Sequence, residues 1–314
     1  MRKQLNLVLL AICFVLGSCN ETPTAQQPLA KHVVMIGLDG FGAYAYDKAD
    51  MPNLKKLASK GSWGTSTRSV LPSSSAVNWA SILMSSTPTQ HGYTEWGSQT
   101  PEIPSAVLSQ HGKYPSIYTL IREQLPESKT GVVYSWGGII HILEEQIIDF
   151  NLPTSGDEDR TAEEAAKLIL TEKPVFTFVH FDQPDGAGHN YGHDSEGYYA
   201  ELKNVDRRLG IVLDAIDKAG IANETIIMVI ADHGGIDKGH GGKDLMEVET
   251  PMVVKGPGIK VNHEVIEPIM GFDYAITVAK MLNITPNRAW RGKVRHCLRK
   301  CVSKLSLGWV IVIA

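Results

Sequence analysis

Thr225-Ile226-Ile227-Met228-Val229-Ile230-Ala231-Asp232-His233-Gly234-Gly235 decides how this chain folds. The run to Ile230 shows no polar alternation, so it predicts a strand buried on both faces rather than one half exposed to water. Burial on both faces requires helices above and below a mainly parallel sheet. The run then breaks into an acid, a histidine and two glycines. Junctions of this kind mark the carboxyl ends of strands, where open α/β sheets place their ligand sites. An ionised aspartate buried beside a histidine is costly without a counter-charge, and a metal ion supplies one.

Working outward, three more stretches have the same character. Gly37-Leu38-Asp39-Gly40 closes the β-branched run from His32. Asp182-Gln183-Pro184-Asp185, running on to His189, follows the strand-like Pro174 to His180. Gly239-His240-Gly241-Gly242 leaves its histidine exposed unless something ties it down. Asp185 and His189 lie four apart, a spacing that shares one face of a helical turn; His193, four further on, could replace His189. His180 sits inside a strand run and reads as a core or supporting residue. His91-Gly92 is a candidate for the pocket lining.

Between the first two stretches, Leu71-Pro72-Ser73-Ser74-Ser75-Ala76-Val77-Asn78 is a serine cluster opening a helix. A hydroxyl there gains from the helix dipole, and the N–H groups can bind phosphoryl oxygens. Spacing alone does not choose among Ser73, Ser74 and Ser75. Three Asp, three His and a hydroxyl are the requirements of a two-metal esterase, so the chain reads as a hydrolase.

Strand-like and helix-like segments alternate from His32 onward, which predicts α/β architecture in one catalytic domain over 32–293: a mainly parallel central sheet with helices on both faces. Expected helices include Met51 to Lys60, capped by Asp50; Ser75 to Ser85; Thr161 to Thr171, with a Thr161/Glu164 capping box; and Tyr198 to Ala219. Asn151 to Arg160 reads as a surface loop. The chain has 314 residues, is 43% hydrophobic and carries a net charge of −4 with no basic stripe, so a nucleic-acid partner is not expected. Arg2 and Lys3, the apolar Leu7 to Leu16 and the ending Leu16-Gly17-Ser18-Cys19 form a signal peptide over 1–19. The ending resembles a bacterial lipoprotein box. It implies lipidation at Cys19, a membrane anchor and a flexible tether over 20–31 on the periplasmic or outer face. The catalytic body has no cysteine, so ligation falls to Asp and His. The basic then apolar tail, 294–314, is atypical.

The four ligand stretches in this order, with Ser/Thr-x-x-Asn after the first, resemble the alkaline phosphatase superfamily. The nearest branch is the nucleotide pyrophosphatase/phosphodiesterase-like one, and the similarity runs from about His32 to Arg291. The resemblance implies Ser75 as nucleophile, with Asn78 helping to hold the phosphoryl oxygens. It implies two divalent metal ions, zinc being expected: one held by Asp185, His189 and His240, the other by Asp39, Asp232, His233 and the Ser75 oxygen. The substrate would be a small phosphoric ester. Serine stands where that branch usually has threonine, and His240 comes earlier than in many pyrophosphatases. A sulfatase would need Pro and Arg where Val77 and Trp79 stand. A phosphomonoesterase is the nearer rival, but no arginine follows Ser75 closely enough to clamp a dianion, which favours a diester. A lipid-tethered binding protein without activity would have lost some of these residues, and none is missing.

Overall fold

The computed structural model describes residues 27–294. The expected signal peptide with Cys19, the first part of the expected tether and the tail beyond Val294 lie outside the described residues. The strands are β1 His32–Leu38, β2 Ser62–Arg68, β3 Thr130–Tyr134, β4 Phe150–Pro153, β5 Phe176–Phe181, β6 Thr225–Ile230, β7 Glu249–Lys255, β8 His263–Glu264 and β9 Ile269–Met270. The helices are α1 Pro52–Ser59, α2 Ser75–Met84, α3 Pro88–His91, α4 Ile117–Gln124, α5 Glu158–Thr171, α6 Asp185–Tyr191, α7 Glu196–Lys218, α8 Leu245–Val248 and α9 Tyr274–Met281. All strands join one sheet in the order β4-β3-β5-β1-β6-β7-β2-β8, with β9 also paired to β2. From β4 to β6 the pairing is parallel; β7 runs antiparallel to both β6 and β2.

Period-two alternation divides the strands between two cores. Val33 and Met35 of β1 face the side covered by α2, α4 and α9; Val34, Ile36 and Leu38 face the side covered by α1, α5 and α7. The expected architecture is therefore present, a mixed α/β domain whose central strands are buried on both faces. Among the described residues no helix is long and apolar enough to cross a membrane.

Several local expectations change. Asn151 to Arg160 is not a loop: it holds most of the edge strand β4 and the first residues of α5. Helix α5 starts at Glu158 with Asp157 as its cap, accepting from the Arg160 N–H at 2.9 Å, so Thr161 lies one turn inside instead of forming a capping box. Asp50 does not cap α1. Asp206 of α7 does so from another element, accepting from the N–H groups of Asn53 and Leu54 at 2.9 Å each. The last residues of the expected tether are fastened to the body: Leu29 N–H donates to the Met281 carbonyl at 2.8 Å, Lys31 N–H to that of Glu224 at 2.9 Å, and Ala30 is buried.

Candidate metal centre

The register of three neighbouring strands builds the site. Leu38 pairs with Phe181 across β1 and β5, and Gly37 with Ile230 across β1 and β6. One step beyond the first pair and two beyond the second, Asp39, Asp182 and Asp232 stand in a row at the carboxyl edge of the sheet. Asp39, Asp232 and His233 are almost completely buried. Helix α6 begins at Asp185, and its N-terminus is held to β1 by the Asp185 N–H donating to the Asp39 carbonyl at 3.0 Å. Gly40 makes that approach possible. Its φ is +68°, and a Cβ there would lie 2.7 Å from the Asp185 carboxylate.

Two groups of ligand atoms result, Asp185 with His189 and His240, and Asp39 with Asp232 and His233; within each, the atoms lie within 4.8 Å of one another. In the first, His189 Nε2 is 3.1 Å and His240 Nε2 3.7 Å from Asp185 Oδ2. In the second, His233 Nε2 lies 3.3 Å from both Asp39 Oδ1 and Asp232 Oδ2. The rings of His233 and His240 stack with centroids 4.0 Å apart, which joins the groups. Each histidine presents Nδ1 to a backbone carbonyl: His189 to Lys238 at 2.8 Å, His233 to Gly234 at 2.7 Å and His240 to Ser73 at 3.1 Å. With the proton on Nδ1, every Nε2 lone pair points into the cluster, which is how metal-binding histidines are oriented.

The donor set fits a cation. Asp185 Oδ1 and Asp232 Oδ2 are buried without a hydrogen-bond partner. Burial and the charges of Asp39 and Asp185 push Asp232 well above the usual carboxylate range. Burial, together with Asp39, Glu158 and Asp185, raises Asp182 to about 8. Burial would also raise Asp39, but a hydrogen bond from His180 and the charges of His233 and His180 outweigh it and hold Asp39 at about 2. Crowded carboxylates of this kind call for a positive ion between them.

The serine cluster separates in three dimensions. Ser75 Oγ lies 3.3 Å from Asp39 Oδ1 and 3.2 Å from His233 Nε2, inside the second group. Ser73 Oγ turns away to donate to the Gly242 carbonyl at 2.7 Å and accepts the Gly241 N–H at 3.2 Å. These bonds tie down the glycine-flanked loop that carries His240. Ser74 lines a cavity of about 360 Å³ with Pro72, Trp96, His189, Gly239, His240 and Gly241.

Asn78 departs from its expected role. Its Oδ1 accepts the Val70 N–H at 2.7 Å, and its Nδ2 donates to the carbonyls of Val70, Pro72 and Ser74 at 3.1 to 3.2 Å. The amide is committed to the loop before Ser75, so it shapes that loop and has no donor left for a phosphoryl oxygen. His180 supports Asp39: its Nε2 lies 3.1 Å from Oδ2, which also accepts the Trp79 indole N–H at 2.9 Å. Asp39, His180 and Asp182 also cluster, but these two contacts occupy the Asp39 oxygen facing that side. Sequence reasoning missed Trp79 and the exposed Trp96; only its place two residues behind Val77 in α2 could have aimed Trp79 at the strand. His91, a candidate for the pocket lining, is a core residue between Ser81 and the Tyr93 N–H.

The family model for type I phosphodiesterase/nucleotide pyrophosphatase matches residues 33–304. The chain belongs to this family. Mouse ectonucleotide pyrophosphatase/phosphodiesterase family member 1 is 24% identical over 306 residues, covering 90% of this chain and 34% of the relative. Venom phosphodiesterase of Macrovipera lebetinus is 23% identical over 260 residues, covering 69% and 27%. The chain thus spans about a third or less of the length of these curated relatives. Among solved structures, human ectonucleotide pyrophosphatase/phosphodiesterase 5 superposes with a TM-score of 0.68 at 14% identity, covering 83% of this chain and 97% of that one. An inactive murine form of the same protein, in complex with AMP, gives 0.66 at 15% identity and covers 86% and 98%. These likenesses support the mixed α/β fold.

Proposed function

We propose that this family member hydrolyses small phosphoric diesters at a two-metal site through a covalent intermediate on Ser75. The observation that carries the reading is the position of Ser75 Oγ, 3.3 Å from Asp39 and 3.2 Å from His233, at the N-terminus of α2. Asp185, His189 and His240 would hold one divalent ion, and Asp39, Asp232 and His233 with the Ser75 oxygen the other, zinc being the expected metal. When bound, the ions supply Lewis acidity towards phosphoryl oxygens and lower the pKa of a neighbouring hydroxyl. The chain itself supplies the nucleophile and its orientation. Ser75 Oγ forms a bond to phosphorus as the ester oxygen departs on the opposite side; water then cleaves the phosphoseryl ester and restores the hydroxyl. The positive end of the α2 dipole favours the anionic substrate group beside Ser75.

The cavity supports a diester. Its lining contains no lysine or arginine to clamp the second charge of a monoester. Arg68 and Lys238 are engaged elsewhere: Arg68 pairs with Glu249 at 2.8 Å, and Lys238 donates to the Asn190 carbonyl at 2.8 Å. Trp96, 59% exposed, offers an aromatic wall for a planar leaving group. The AMP complex of the murine neighbour supports a nucleotide-like substrate. Zinc analysis, with rates for an aryl phosphodiester and an aryl phosphomonoester, tests the proposal. Faster monoester turnover would make this a phosphomonoesterase, and unchanged diester turnover after exhaustive chelation would remove the metal mechanism. We further propose that lipidated Cys19 tethers the enzyme outside the cytoplasm. Cys19→Ala should release it into the soluble fraction with its rate intact; a wild-type protein that is itself soluble overturns the anchor.

A further inference from the structure

Two buried polar atoms without partners face each other beside the first ligand group: Asp185 Oδ1 and His193 Nε2, 3.6 Å apart. The His193 side chain is completely buried. Leaving both atoms unpaired is costly, and each is the other's obvious partner. Glycines make the room for the ring. A Cβ on Gly188 would lie 2.3 Å from His193 Cε1 and 2.4 Å from Nε2, and one on Gly235 would lie 2.3 Å from both atoms. Neither glycine has positive φ, so the space they leave, rather than their backbone freedom, explains them. Gly188 lies between Asp185 and His189, and Gly235 follows Asp232-His233-Gly234. The edge of His193 is therefore gripped by the two segments that carry most of the ligands. The Tyr198 ring packs nearby at 5.4 Å, and the His193 N–H donates to the Asp237 carbonyl at 2.6 Å.

We infer that His193 is a positioning residue for the Asp185 carboxylate. Across the 3.6 Å gap Nε2–H faces Oδ1 and engages that oxygen when the gap closes, which leaves Oδ2, 3.1 Å from His189 Nε2 and 3.7 Å from His240 Nε2, for the ion. The role differs from the alternative in which His193 replaces His189 as a ligand, because its nitrogen faces the far oxygen of Asp185. The inference rests on the reading of Asp185, His189 and His240 as holding an ion.

The test is Zn²⁺ binding to the purified full chain, measured by competition with a chromophoric chelator, beside thermal unfolding of the zinc-free protein. His193→Met keeps the volume and removes the donor; His193→Gln keeps an N–H near the position of Nε2. His193→Met should weaken one of the two ions by about 10- to 100-fold and leave the other unchanged. His193→Gln should recover most of that loss, and zinc-free unfolding should be alike in both variants. Wild-type affinity in His193→Met, or equal weakening of both ions, overturns the inference, as does a glutamine variant as weak as the methionine one. If His193→Met does not fold, Gly235→Ala, which displaces the ring and keeps the imidazole, must show the same selective loss, and wild-type affinity there also overturns it. Wild-type protein that holds no zinc would refute the two-metal reading itself, which separates the two failures.

Discussion

Ser75 differs from Ser73 and Ser74 in what it touches, not in its chemistry. Ser75→Ala should lower diester turnover by at least ~10³-fold while bound zinc, measured by elemental analysis, is retained. Ser73→Ala should keep most of the rate, since its hydroxyl serves the His240 loop. Trp96→Ala should raise KM for an aryl or nucleotide diester by roughly tenfold and leave kcat within a few-fold, because the ring offers binding area away from phosphorus. An unchanged KM would exclude Trp96 as a wall of the site. The six Asp and His positions of the two groups were legible because each stands at, or just beyond, a break from an apolar run to glycine. The choice among the serines was not, because it depends on His233, 158 residues away. The family resemblance, not the residue's surroundings, is what implies that Asn78 reaches outward to phosphoryl oxygens. Its partners are carbonyls four to eight residues back, and only the backbone path of that loop reveals them.

Helix α1 shows the same limit at the scale of an element. Asp50 lies two residues before Pro52, a plausible cap by spacing, yet it pairs with Lys203 at the surface at 2.9 Å. Asp206 takes the cap instead, from the buried face of α7, one oxygen to each of two N–H groups. Asp206→Ala should therefore destabilise the fold by about 1–3 kcal/mol, since one buried and one half-buried donor lose their acceptor. Asp50→Ala should cost no more than about 0.5 kcal/mol. Urea midpoints of the two variants compare these directly, and equal losses would contradict the assignment. Long apolar segments such as β6 and α7 were readable from periodicity alone. β2, Ser62 to Arg68, was not expected because its polar, glycine-containing sequence shows little alternation; its pairing with β7 supplies what local pattern does not.

For the whole molecule, His91 links stability to pH. Burial lowers it from 6.5 to about 3, and it stays neutral between Ser81 and Tyr93. Between these values the unfolded chain binds a proton that the folded chain refuses. Its contribution therefore falls as the pH drops below 6.5, by about 1.4 kcal/mol per unit, until the folded state also titrates near 3. The difference in unfolding free energy between wild type and His91→Gln, from urea unfolding at pH 7, 6, 5 and 4, should follow that slope. The direction of β1 has another consequence. The strand enters the body at His32, beside the fastened Leu29 and Lys31, and delivers Asp39 at its other end. Its seven residues separate the two points by about 23 Å. Under the proposed Cys19 anchor, the mooring would join the body at the end of β1 away from Asp39. Such a geometry suits dissolved diesters arriving from bulk water better than esters embedded in the surface behind it.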